Sequence, residues 1–95
     1  MEDLIKAQPV ELVKGNVVEL LIQHKVRIDV ANQYADAFLE YMKATRNVDE
    51  YGVIIKHPRT GNPIENPYLA IRDRALKKLQ AMKSVRADYL WEVYA

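Results

Sequence analysis

The sequence contains no cysteine. That excludes disulfides, iron–sulfur clusters and thiolate zinc sites, and it suits a reducing compartment. Glycine is scarce, at three residues, and none has the spacing of a phosphate-cradling or dinucleotide-binding loop. There is no nucleophile elbow either. His24 and His57 are the only histidines. Neither has a second histidine or a partner acid at ligand spacing, so no metal site is expected. No apolar run reaches membrane-spanning length, and Met1-Glu2-Asp3 lacks the basic start of a signal peptide. Nothing in the sequence supports an enzyme, a cofactor or a membrane contact, and the composition fits a reducing cytosol.

What is present suits one small folded domain over residues 1–95, with 49% apolar and 28% charged residues. The net charge of +1 hides an asymmetry. Residues 1–51 hold nine acids and six bases, whereas residues 52–95 hold four acids and eight bases. Arg72, Arg74, Lys77, Lys78, Lys83 and Arg86 fall in one window that contains Asp73 as its only acid. Such polarity points to an anionic partner or to attraction between subunits; a solvated helix surface is the competing reading.

The pattern is mostly helical: a long central helix, a short extended or hairpin segment around 53–64, and C-terminal helices. Residues 1–15 are weakly patterned, with Pro9 inside them and Gly15 ending any helix there or leaving a kink in it. Asn16 and Glu19 have capping-box spacing, which predicts a helix to about His24. His24 reads as a cation placed near the end of that helix. Asp29 then caps a helix to about Tyr51, with Gly52 as its C-terminal stop. Tyr34, Phe38, Tyr41 and Met42 belong to an apolar stripe too wide for one face. They are expected to face a neighbouring subunit, unless the flanking helices of the same chain cover them. Asp29, Asp36, Glu40 and Lys43 read as a solvated stripe.

Val53-Ile54-Ile55 is β-branched and precedes turn residues, which suits a ribbon returning near Ile64. Asn66-Pro67 predicts a helix start, with Asn66 as cap and Pro67 at the first position. Tyr68, Ile71, Ala75, Leu79 and Met82 should point inward, and an Asp73–Lys77 pair should add slight support. Ser84 is expected to cap a last helix from Val85 to about Tyr94. Its aromatics read as core or interface, with base stacking the alternative.

The order of these pieces resembles a family of small terminase subunits of tailed phages and prophages. The resemblance rests on the turn ending at Asp29, the long helix with Tyr34 and Tyr41, Glu50-Tyr51-Gly52, Gly61, and Asn66-Pro67 opening a helix. It covers roughly Val17 to Arg86. Family members follow the Asn-Pro helix with a Gly-Leu-Thr-Pro-like turn before an Arg, and only Ser84 and Arg86 match loosely here. The resemblance implies a helical, ring-forming homo-oligomer that binds viral DNA in the host cytoplasm and regulates a large ATPase/nuclease subunit. The six bases of the Arg72–Arg86 window are then the nucleic-acid contacts. The alternative is a small helical adaptor that binds protein only.

Overall fold

The computed structural model describes residues 11–94. The expectations for residues 1–10 lie outside them. The elements run α1 (Lys14–Gln23), α2 (Ile28–Tyr51), β1 (Ile54–Lys56), β2 (Pro63–Glu65), α3 (Tyr68–Ala81) and α4 (Asp88–Tyr94). The fold is mostly α, with a long central helix and a two-stranded ribbon, as the sequence predicts.

α1 starts earlier than its capping box implies. The Val13 carbonyl accepts from Val17 N–H at 3.2 Å, so Gly15 lies inside the helix rather than ending a previous one. The Asn16 side chain donates to the Glu11 carbonyl at 3.0 Å instead of capping. Val17 and Leu21, one turn apart, are fully buried against α2. α1 then stops in a Schellman turn: Val26 N–H bonds to Leu21 O, Lys25 N–H to Ile22 O, and Lys25 takes φ 70°.

The cap of α2 is also displaced. Arg27 is extended at the cap position, and its carbonyl accepts from Ala31 N–H at 2.7 Å. Asp29 lies within the first turn, where its charge suits the helix dipole and where it meets Arg27 at 3.2 Å. Twenty-four residues at about 1.5 Å each give a rod about 36 Å long. Gly52 ends it at φ 90°, with its N–H on Val48 O at 2.7 Å.

α3 returns antiparallel along α2, with Ala75 and Leu79 buried. Ile71 and Met82 are half-buried, while Tyr68, predicted to point inward, is exposed. α4 begins at Asp88 rather than Val85, because the segment before it turns through Val85 N–H to Met82 O and Leu90 N–H to Ala87 O. Trp91 and Tyr94 pack on Phe38 at ring-centre distances of 4.8 and 5.9 Å. Tyr94 O–H also donates to the Glu11 carbonyl at 3.3 Å. The aromatic C-terminus is therefore core.

Within the protomer the apolar stripe of α2 is already largely covered. Tyr34, Phe38 and Met42 are 5%, 0% and 6% exposed within the chain itself. The cover that the wide stripe requires comes from α1 and α4 on one side and α3 on another. Tyr41 is half-buried, edge-on to Trp91.

In the ribbon, Ile54 faces Glu65, Ile55 faces Ile64 and Lys56 faces Pro63. His57 closes the loop: its Nδ1 accepts from Arg59 and Thr60 N–H, which makes it a structural loop residue. The ribbon joins the helices through Asn66, which is 1% exposed. Asn66 Oδ1 accepts from Tyr68 N–H at 3.0 Å, the predicted cap. Its Nδ2 donates to Asn47 Oδ1 at 3.0 Å and to Gly52 O at 2.9 Å, and its own N–H bonds to Val53 O.

Candidate nucleic-acid interface

α3 and the turn after it carry the six predicted bases, and the structure separates them into unlike groups. Arg74 and Lys77 are exposed, with no ion-pair partner among the described residues. The expected Asp73–Lys77 pair does not form. Lys78 lies 3.6 Å from Glu40 of α2, and both side chains remain about half exposed. Such a pair is worth at most about 1 kcal/mol. Arg72 is half-buried. Lys83 and Arg86 are exposed on the turn that joins α3 to α4.

That turn brings Arg86 beside residues far away in sequence. A groove of about 370 Å³ is lined on one side by Ser84, Val85 and Arg86, and on the other by His24, Lys25, Val26, Arg27 and Val30. No acid lines it. His24 is fixed there: its ring stacks on Tyr89 at 3.6 Å and 8°, and Nδ1 lies 2.9 Å from the Leu20 carbonyl. With Nδ1–H donating to that carbonyl, Nε2 is the free ring nitrogen. Lys25 and Arg27 were not among the predicted contacts, because the pairing of turn 24–27 with turn 82–87 has no local sequence signal. The left-handed turn at a lysine was the one feature that set this site apart, and it became visible only in the backbone.

The acidic stripe of α2 is exposed, with its members paired to bases of neighbouring elements. Asp36 lies 3.1 Å from Lys14 and Glu40 pairs with Lys78. Among the described residues no cluster of three acidic or histidine side chains could hold a metal ion. The groups with raised pKa values are phenols. Burial pushes up Tyr34, Tyr89 and Tyr94, and Asp88 adds to the shift at Tyr34 while its bond to Trp91 opposes it. The chemistry on offer at this surface is therefore cationic hydrogen-bond donation to an anion.

No curated protein and no solved structure gives a significant match to the chain. A family model does. It is described as phage terminase, small subunit, and it matches residues 13–85. The match runs from the start of α1 to the turn that bears Arg86, and so takes in α2, the ribbon, the Asn66 junction and α3. On that extent, the chain belongs to the phage terminase small subunit family.

Proposed function

We propose that the chain binds viral DNA through its phosphates, assembles with copies of itself, and regulates a large subunit that carries the ATPase and nuclease, in the cytoplasm of the host. The family membership carries this reading. Small terminase subunits are non-catalytic components of the phage DNA-packaging complex. Two physical features of the chain support the finer roles.

The first is the supply of cations. Arg74, Lys77, Lys83 and Arg86 are exposed without acidic partners among the described residues, and Arg72 and Lys78 flank them. Contacts of this kind go to phosphate oxygens, which position a duplex without reading its sequence. The second is shape. The radius of gyration is 16.2 Å and the thinnest dimension 18 Å. A compact chain of this length has a radius of gyration of about 12 Å. A flat protomer leaves apolar groups uncovered: Tyr51, Ile54 and Tyr68 are exposed around a groove of about 550 Å³ beside the ribbon. Contact between copies there, with Tyr41 as a further candidate, would cover them, and repetition of a weak basic patch would raise its avidity for DNA.

The experiment is a duplex-binding titration over a range of salt, alongside light scattering at micromolar protein. The expected result is a mass of several subunits and an affinity that falls steeply as salt rises, since each phosphate contact contributes about 0.9 to the logarithmic slope. A monomer that binds no duplex at low salt would overturn the reading, and the protein-only adaptor would replace it.

A further inference from the structure

We propose that the groove between the α1–α2 turn and the α3–α4 turn is a seat for one phosphate oxyanion, held by Lys25, Arg27 and Arg86. The DNA-binding reading supplies its source, a backbone phosphate of the duplex, and in that respect the inference rests on it.

Three observations converge on the groove. Its charge is of one sign: three permanent cations line it and no carboxylate does. Lys25 and Arg86 have no ion-pair partner among the described residues. Arg27 does pair with Asp29, at 3.2 Å, but its side chain is 81% exposed, and so open a pair holds it weakly. The backbone is the second observation. Lys25 occupies the left-handed position of a Schellman turn at φ 70°, where glycine or asparagine is favoured. An L side chain is disfavoured there by the contact of its Cβ with the backbone carbonyl. The strain falls on a residue that lines the groove, which is where functional sites store it.

The third observation is composition. Val26, Val30 and Val85 make part of the wall apolar, so a charge seated there is less screened than on an open face. Ser84 adds a hydroxyl donor. A lysine gives a point charge and an arginine a planar fork of donors, the usual combination on phosphate oxygens. The two turns lie far apart in the sequence, so the seat exists only in the folded chain.

The test uses the full chain and two probes, inorganic phosphate and a short DNA duplex. Lys25→Asn with Arg86→Gln removes two charges while keeping a residue that accepts φ 70°. Arg74→Gln with Lys77→Gln is the comparison variant on the outer face of α3. In amide NMR titrations, phosphate should shift Lys25, Ser84 and Arg86 in the parent and in the comparison variant, and not in the groove variant. With duplex, the groove variant should lose up to about 1.8 from the salt slope. Duplex binding with an unchanged slope in the groove variant overturns the seat and leaves the DNA reading intact. Phosphate shifts in the groove without duplex binding keep the seat as a site for free phosphate, and it is the DNA reading that falls. Absence of groove shifts with both probes overturns the seat outright.

Discussion

Replacing Asn66 separates two accounts of the α3 start. If Asn66 only caps the helix, Asn66→Ala costs about 1 kcal/mol and Asn66→Asp costs almost nothing, because aspartate caps as well as asparagine. The structure predicts otherwise. The buried amide makes three side-chain hydrogen bonds, to Tyr68 N–H, Asn47 Oδ1 and Gly52 O, at 2.9–3.0 Å. At about 1 kcal/mol each, their loss in Asn66→Ala amounts to about 3 kcal/mol. For a domain this small that lowers Tm by about 12–24 °C. Asn66→Asp keeps the acceptor for Tyr68 but turns a carboxylate toward two oxygen acceptors, so at neutral pH it should cost at least as much as alanine. Burial and those oxygens raise the introduced carboxyl's folded pKa above its unfolded value. The deficit is therefore smallest at acidic pH and grows as pH rises through the folded pKa. Calorimetric melting of both variants between acidic and neutral pH decides it. An aspartate variant as stable as the parent at neutral pH would refute the network.

Phe38→Ala should cost about 3–5 kcal/mol of protomer stability, since the ring is fully buried against Trp91 and Tyr94. A change in oligomer mass with an unaltered melting curve would instead place Phe38 at a subunit contact. Burial raises the phenol pKa values of Tyr34, Tyr89 and Tyr94, so unfolded phenols ionise first and stability should fall as pH rises above about 10. An ultraviolet titration should show these three of the six tyrosines ionising late; simultaneous ionisation of all six in folded protein would contradict their burial.

The sequence made the elements legible where local chemistry acts alone. Gly52 ends α2 and Asn66 caps α3 because each needs only its own conformational freedom or its own oxygen. The starts of α1, α2 and α4 depart from the positions the cap residues imply, because a candidate cap is only one acceptor among several. Asn16 found the Glu11 carbonyl and Asp29 found Arg27 instead. The width of the α2 stripe is legible in the sequence, but whether a neighbouring subunit or the flanking helices of the same chain cover it is not. The return of Trp91 and Tyr94 onto Phe38, which adds a seven-residue helix to the cover from α1 and α3, appears only in the fold. The basic window was visible as composition. Its regrouping, with Arg86 beside Lys25 and Lys78 beside Glu40, depends on contacts across the chain that no spacing encodes.

The bond from Tyr94 to Glu11 joins positions 83 residues apart, whereas Asn66 meets Asn47 across 19. Closing the larger loop costs more chain entropy, and that cost comes before any contact repays it. The order of events during folding should follow: α2, the ribbon and α3 assemble as a local unit, and α4 arrives last. Because α4 has only seven residues, it has little stability of its own once it leaves the core. Its amides should exchange with solvent ahead of those in α2 and α3, through an opening that exposes Phe38 while the Asn66 junction stays closed.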